Sequence, residues 1–249
     1  MQPELNIGPL ELKTFGICFA LGFVAAGLVG ARRLQELDLP VDWAYELIFA
    51  GLAGGFVGAR VDYLIQNWDS ASDDLLGAAF SGAGLVWFGG LVGGTIGVLA
   101  WARWRGFLGL ALLDLCAPLI ALGYAIGRVG CQLSGDGDYG EASDLPWAMA
   151  YPDGTEPIDT EVHPTPVYET LAMGLIALIL WRLRDRFRPG VLFALWLVLS
   201  GLERLLVEFV RRNEAVAAGL TLAQLVSVAM IAAGAAWLVR ARGVGPRAN

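Results

Sequence analysis

Long runs of apolar residues make up most of the chain, and short polar segments separate them. A helix needs about 20 apolar residues to cross the hydrocarbon core of a bilayer, and each run is close to that length. The pattern therefore predicts an all-α, polytopic membrane bundle of about seven transmembrane helices, with residues 1–249 forming one membrane-embedded domain. The predicted spans cover about residues 14–31, 43–64, 76–102, 108–130, 166–182, 190–210 and 219–239.

The composition excludes an ordinary soluble domain. Of the 249 residues, 56% are hydrophobic and 16% are charged, and the mean hydropathy is +0.59. Soluble domains have about 45–50% apolar and about 25% charged residues. The net charge of −7, without a basic soluble patch, also excludes nucleic-acid binding. Because His163 is the single histidine, a multi-histidine metal site is excluded, and we expect neither a metal nor a cofactor.

Basic residues in the short loops predict how the chain is oriented. Clusters of arginines follow the first, third, fifth and seventh predicted spans, which places all four clusters on one side of the membrane. The positive-inside rule makes this side cytoplasmic. The N-terminus is then outside, the C-terminus is cytoplasmic, and the acidic loop at about residues 132–165 is periplasmic. The arginines in these clusters are Arg32, Arg33, Arg103, Arg105, Arg182, Arg184, Arg186, Arg188, Arg240, Arg242 and Arg247.

Four arginines break this charge pattern, because Arg128, Arg204, Arg211 and Arg212 fall in the outer half or at the outer face. An arginine at membrane depth costs at least about 2.5 kcal/mol, so such residues are rare and usually functional. A fixed positive charge there favours an anionic ligand, and lipid phosphate is the nearest supply. The alternative is a structural role, in which each arginine pairs with a local carboxylate, such as Glu203 or Glu208 beside Arg204.

The residues around these arginines form two motifs. Residues 127–140 read Gly-Arg-Val-Gly-Cys-Gln-Leu-Ser-Gly-Asp-Gly-Asp-Tyr-Gly, which predicts an irregular turn immediately after Arg128. Irregular backbone at membrane depth is tolerated only inside protein or beside a water-filled cavity. In the second motif, Arg204, Glu208 and Arg211 are spaced i, i+4, i+7 and share one helical face. There Glu208 would hold the two guanidinium groups in place for a phosphate.

Together with residues 84–91 and 163–169, these motifs resemble bacterial prolipoprotein diacylglyceryl transferases, from about residue 7 to residue 224. The resemblance implies a multi-pass enzyme of the bacterial inner membrane whose active site faces outward. It implies transfer of the diacylglyceryl group of phosphatidylglycerol to the lipobox cysteine of a preprolipoprotein signal peptide. A thioether forms and glycerol 1-phosphate leaves, which is the first step of lipoprotein maturation. The expected partners are phosphatidylglycerol, the preprolipoprotein and membrane lipid.

The resemblance also assigns roles by motif position. Phosphatidylglycerol binding falls to Arg128, Arg204, Arg211, Glu208 and Gly140, and Arg204 is in addition the arginine expected to be essential for catalysis. Guanidinium groups in a low-dielectric pocket would stabilise the negative charge that builds on the departing phosphate.

The general base stays open between several groups. His163 is the only histidine able to take a proton near pH 7; alternatively, it orders the loop over the site. The family glutamate after the Gly-Arg motif corresponds to Asp136 or Asp138, because this turn is one residue longer. Either carboxylate is a candidate catalytic group, although an unperturbed carboxyl is a weak base for a thiol. Alternatively, the two aspartates hydrogen-bond Arg128.

The chain departs from the family pattern at three positions that bear on function. Phe88 stands where the family usually has a histidine that is a candidate base, Cys131 replaces an asparagine, and Phe15 replaces a tyrosine. Since phenylalanine cannot take a proton, two alternatives remain beside the transferase. One is a paralogue that acts on a different acceptor, and the other is a non-catalytic phospholipid-binding membrane protein.

Overall fold

Seven α-helices make up most of the computed structural model, which describes residues 1–8, 10–68, 86–216 and 219–241. Two antiparallel β-hairpins accompany them, one before the first helix and one between the fourth and fifth. The helices are α1 (Thr14–Glu36), α2 (Asp42–Gln66), α3 (Trp87–Arg105), α4 (Leu110–Ser134), α5 (Thr165–Leu183), α6 (Val191–Glu208) and α7 (Leu222–Ala241). The strands are β1 (Glu4–Ile7), β2 (Leu10–Lys13), β3 (Met149–Tyr151) and β4 (Ile158–Val162).

The predicted all-α, polytopic architecture is confirmed, and the described residues contain the expected seven helices. Five of them, α1, α2, α4, α5 and α7, are long and apolar enough to cross a membrane. The first part of the third predicted span, residues 76–85, lies outside the described residues, and α3 covers the remainder. The direction in which the helices cross the membrane stays a prediction.

The prediction of an irregular turn directly after Arg128 is wrong, because α4 continues through that residue to Ser134. Gly130 lets α1 pack closely against this part of α4, since a Cβ there would come within 2.8 Å of the Cys18 Cβ atom on α1. The turn begins only at Gly135, and Gly135 and Gly137 both have positive φ angles, of 59° and 90°. Left-handed backbone of this kind is accessible to glycine at little steric cost. The irregular segment therefore starts two helical turns after Arg128 rather than beside it.

The chain divides into two compact units, residues 30–112 and residues 1–29 with 113–249. In the first unit, α2 and α3 pack along glycines: a Cβ atom at Gly58 or Gly93 would overlap the backbone of the facing helix. Small residues let membrane helices approach closely in this way. The Glu46 carboxylate of α2 joins the same two helices by accepting hydrogen bonds from Arg105 and from Trp101 Nε1, the latter at 2.8 Å.

In the second unit, the packing of α4 against α5 and α6 determines where the charged residues lie. Ala117, Ala121 and Ala125 recur every fourth residue on α4, and they form a buried cluster with Met173 of α5. Residues spaced by three or four lie on one face of a helix, so Arg128 continues the packed face of α4. Other members of the cluster are Ile176, Ala177, Leu180 and Leu192.

A carboxylate from α4 caps the start of α6. Asp114 Oδ2 accepts a hydrogen bond from Gly190 N at 2.7 Å, and Oδ1 accepts one from Phe193 N at 2.9 Å. Backbone N–H groups at a helix start have no partner within the helix, and a negative charge there is favoured by the helix dipole. Asp114 therefore joins α4 to α6 at the end of α6 opposite Arg204.

Replacing Asp114 with alanine should lower the Tm of the purified protein by several degrees, because the first turn of α6 loses two charged acceptors. Removal of a helix cap costs about 0.5–2 kcal/mol. Thermal unfolding in detergent, followed by intrinsic fluorescence, measures the change. Asp144→Ala, at an exposed loop position, is the matched control. Equal Tm values for the two variants would contradict the capping role.

Candidate active site

A carboxylate removed from solvent lies at the centre of the charged residues. Glu169, in the second turn of α5, is 0% exposed. Its oxygens lie 3.0 Å from Arg128 Nε, 3.4 Å from Arg211 Nη1 and 3.8 Å from Arg204 Nη1. Tyr124 of α4 also donates its hydroxyl hydrogen to Glu169 Oε1 at 3.0 Å. We call Arg128, Arg204 and Arg211 around Glu169 the arginine cluster.

The arginine cluster forms where one end of each of three helices meets. Arg128 is in the last two turns of α4, Glu169 is near the start of α5, and Arg204 is near the end of α6. Arg211 follows α6 directly and forms an isolated antiparallel bridge with Gly140. The structure thus brings together three of the four arginines that broke the charge pattern of the sequence, whereas Arg212 lies over the Tyr139 ring.

Asp138 joins two members of the arginine cluster from the loop after α4. It accepts hydrogen bonds from Arg128 Nη1 and from Arg211 Nη2, one on each carboxylate oxygen. Burial alone would raise the pKa of the Asp138 carboxyl, but Arg128 and Arg211 hold that pKa below its ordinary value. The stabilising ion pairs are therefore present above the ordinary carboxyl pKa, and they are lost as the pH falls through the lowered value.

The two candidate aspartates differ in their contacts. Asp136 Oδ1 accepts a hydrogen bond from Asp138 N at 3.4 Å, and none of its described hydrogen bonds or ion pairs reaches an arginine. Cys131, Asp136 and Asp138 also bring their possible metal-ligating atoms within 4.8 Å of one another. Because both Asp138 oxygens are occupied by guanidinium groups, we assign Asp138 to holding arginines rather than a metal.

Arg204 is the least constrained arginine of the cluster. Its side chain is 24% exposed, compared with 15% for Arg128 and 8% for Arg211. Arg204 Nη1 lies 2.7 Å from Glu208 Oε2, but the two atoms lack hydrogen-bond geometry, and neither has another hydrogen-bond partner among the described residues. Arg128 and Arg211, in contrast, both donate to Asp138. Arg204 is therefore the guanidinium group best placed to accept a ligand.

Glu208 is hydrogen-bonded by two residues that lie between α6 and α7. Its Oε1 atom accepts hydrogen bonds from Asn213 Nδ2 at 2.8 Å and from Thr221 Oγ1 at 2.6 Å. The predicted shared face of Arg204, Glu208 and Arg211 is thus only partly realised, because α6 ends at Glu208. Arg211 reaches the cluster from the turn beyond the helix.

Gly140 allows the loop to approach the end of α6. A Cβ atom at this position would overlap Val210 O and would lie 2.9 Å from the His163 Cβ atom. Gly140 N donates to His163 O at 2.8 Å, and the neighbouring Glu141 N donates to Val210 O at 2.8 Å. These contacts position Asp138 beside Arg211. A direct role of Gly140 in ligand binding stays a prediction.

His163 lies in a separate hydrogen-bonded group. Its Nδ1 atom is 3.3 Å from the Tyr168 hydroxyl, to which Trp147 Nε1 also donates at 2.8 Å. Among the described residues, no hydrogen bond or ion pair joins the imidazole ring to the arginine cluster. Its backbone N–H donates to Glu141 O at 3.0 Å, so the residue anchors the loop. Its role as a base stays a prediction.

Sequence reasoning did not assign a site role to Glu169 or Tyr124. The available signal was a carboxyl only four residues into an apolar helix, where an ionisable group is expected to be functional. Of the departures from the family pattern, Cys131 is buried with its Sγ atom 3.7 Å from Arg128 Nη1. Phe88 belongs to α3, and its side chain is 54% exposed.

Comparisons with known proteins identify the family of this chain. The family model described as prolipoprotein diacylglyceryl transferase matches residues 3–240. The chain is 34% identical to the phosphatidylglycerol–prolipoprotein diacylglyceryl transferase of Chromohalobacter salexigens, over 96% of this chain and 91% of that protein. A protein of the same name from Dehalococcoides mccartyi is 35% identical over 91% of this chain and 88% of that protein. Another from Clostridium tetani is 29% identical over 85% of this chain and 86% of that protein.

These matches run through the segments that carry the arginine cluster, the loop after α4 and the start of α5. The apolar helices are those of a multi-pass membrane protein. The chain therefore belongs to the prolipoprotein diacylglyceryl transferase family.

Proposed function

We propose that this protein transfers the diacylglyceryl group of phosphatidylglycerol to the lipobox cysteine of a preprolipoprotein signal peptide. The thiol sulfur attacks the C3 carbon of the glyceryl group, and the bond from that carbon to the phosphate oxygen breaks. A thioether forms, the thiol proton is lost, and glycerol 1-phosphate leaves. The reaction takes place at the outer face of the bacterial inner membrane, and residues 132–165 lie outside as a periplasmic loop.

The observation that carries this proposal is the convergence of three arginine side chains on the fully buried Glu169. Negative charge develops on the phosphate when the carbon–oxygen bond breaks. Guanidinium groups that are already oriented, and that are shielded from water, stabilise such charge without reorganising during the reaction. Most of this orientation is supplied by Glu169 and Asp138.

We assign the first contact with the phosphate to Arg204. Its side chain is the most exposed of the cluster, and its buried Nη1 atom has no hydrogen-bond partner among the described residues. A guanidinium group can bind two phosphate oxygens at once through parallel N–H groups. Arg128 and Arg211, which Asp138 and Glu169 hold, contribute mainly positive potential and the shape of the pocket.

One observation favours a second candidate function, which is phospholipid binding without transfer. The family usually has a histidine where this chain has Phe88, and phenylalanine cannot act as a base. Mass spectrometry of a reporter lipoprotein distinguishes the two functions, in a strain depleted of its own diacylglyceryl transferase. The transferase adds a diacylglyceryl group to the lipobox cysteine, whereas a binding protein leaves the reporter unmodified although it is folded and inserted.

Replacing Arg204 with alanine should reduce transfer by about 100-fold or more, the usual effect of removing one donor to a developing negative charge. Arg204→Lys should recover only part of the activity, because lysine keeps the charge without the planar pair of donors. The rate of diacylglyceryl addition to a lipobox peptide measures both variants.

Arg212→Ala is the control for Arg204, because this exposed arginine lies over the Tyr139 ring at 4.7 Å rather than in the cluster. It should transfer at nearly the rate of the unaltered protein. Full activity of Arg204→Ala would exclude Arg204 as the phosphate ligand.

Asp138→Asn and Asp136→Asn form a matched pair within one turn. Hydrogen bonds to charged groups contribute about 1.5–3 kcal/mol, and Asp138 accepts two from the cluster. We therefore expect Asp138→Asn to slow transfer at least about tenfold and Asp136→Asn to change it by less than about twofold. The same peptide assay measures both, and equal losses would indicate that the carboxyl groups share one role.

A further inference from the structure

A fourth buried carboxyl group lies beside the arginine cluster. Glu203 precedes Arg204 on α6 and is 8% exposed, so it is more than nine-tenths buried. Its Oε1 atom is buried and has no hydrogen-bond partner in the part of the chain that the structure describes. An ionised carboxyl group that is buried without a cation or a donor is strongly disfavoured. Such a group must hold a proton or obtain a partner.

The surroundings of Glu203 are those of the phosphate site. It interacts electrostatically with Glu169 of α5, with Arg204 on its own helix, with Arg128 of α4 and with Arg211 beyond α6. Yet none of the ion pairs among the described residues includes Glu203, whereas each of these arginines is paired with another carboxylate. Glu203 therefore interacts electrostatically with the charged residues of the cluster but forms no ion pair with any of its arginines among the described residues.

Among the described residues, the elements around Glu203 supply no further positive charge. Ser200 and Trp196 are one and two turns earlier on the same face of α6 as Glu203, and Ser227 is on α7. Each carries a neutral buried polar atom. The only ionisable side chain of α7 is Arg240, near its far end. From α4, the uncharged Tyr124 hydroxyl is the other titratable group that interacts with Glu203.

The net charge of the site depends on whether Glu203 is ionised. Arg128, Arg204 and Arg211 are balanced by the ion-paired Asp138, Glu169 and Glu208, all among the described residues. An ionised Glu203 would leave the site with one excess negative charge before any ligand arrives. A phosphodiester adds another negative charge, which the site then has to accept within a medium that screens charge poorly.

We propose that Glu203 carries a proton whenever a phosphate occupies the arginine cluster, so that phosphate binding and protonation of this side chain are coupled. The neutral form leaves the three guanidinium groups available to the ligand, and the ionised form opposes it. Glu203 is thus a positioning residue that acts through the arginines. The inference rests on the proposed function for the location of the phosphate, but it concerns binding and does not require transfer.

Coupling of this kind predicts that affinity for a phosphodiester falls as the pH rises. The probe is dihexanoyl phosphatidylglycerol below its micelle concentration, because its phosphodiester stays singly charged from pH 6 to pH 9. Isothermal titration calorimetry of the full-length protein in phosphate-free detergent should show about tenfold weaker binding at pH 9 than at pH 6, within the usual range of coupling between two sites.

Glu203→Gln supplies the decisive comparison, because glutamine has nearly the same shape and cannot ionise. Its affinity should not change between pH 6 and pH 9, and at pH 9 it should bind about tenfold more tightly than the unaltered protein. A residue with a purely structural role would weaken binding when replaced, not strengthen it. Glu203→Asp, which restores an ionisable carboxyl, should restore the dependence on pH.

Two other ionisable side chains lie near the site and need their own variants. His163→Gln and Cys131→Ala should both retain the pH dependence, although Cys131 lies 3.7 Å from Arg128. The inference is overturned if either variant abolishes the dependence, or if Glu203→Gln retains it with an unchanged Tm. Failure of every form to bind the probe would instead contradict the proposed phosphate site itself, and the coupling with it.

Discussion

The ion pairs between one buried carboxylate and three arginines are the interaction on which the functional site depends. Glu169 is inaccessible to solvent, and an isolated ionised carboxyl in that position would be prohibitively unfavourable. An unpaired guanidinium group would also be unfavourable in these positions, because each arginine lies within or beside an apolar helix. Removing one partner from a buried ion pair typically costs about 3–5 kcal/mol. Glu169 and the arginines are therefore stable in these positions only together.

Apolar packing determines where this group of charges can form. The alanines of α4 and the residues that follow Glu169 on α5 share one buried cluster, which fixes the distance and rotation of the two helices. Because helical faces repeat every three to four residues, the same packing turns Arg128 and Glu169 toward each other. Preorganisation of the guanidinium groups is in this sense a consequence of close contacts between small residues.

The loop after α4 completes the site from outside the helices. Gly140 brings it against the end of α6, and Asp138 then joins Arg128 to Arg211. His163 anchors the loop through its backbone and contacts Tyr168 through its ring. In the proposed reaction the same loop lies on the side from which the signal peptide presents its cysteine.

The sequence alone was sufficient for the membrane class, the seven helices and the four exceptional arginines, because these follow from local properties: the length of apolar runs and the cost of a charge in lipid. It did not separate Arg212 from the three arginines that meet at Glu169. It also identified Asp138 and Glu208 as carboxylates near those arginines, but it could not separate Asp138 from Asp136. It predicted a turn beside Arg128 where the helix in fact continues to Ser134. The glycine at position 130 is typical of a turn in a linear pattern, whereas in the structure it lies in the helix and packs against Cys18 of α1. The central position of Glu169, the unpaired state of Glu203 and the relative freedom of Arg204 were decided only by the tertiary structure. The physical reason is that ion pairing and burial depend on which side chains from distant segments meet. The hydrogen bonds that join Tyr124 to Glu169, Arg211 to Glu169 and Arg211 to Asp138 link residues 45, 42 and 73 positions apart in the chain.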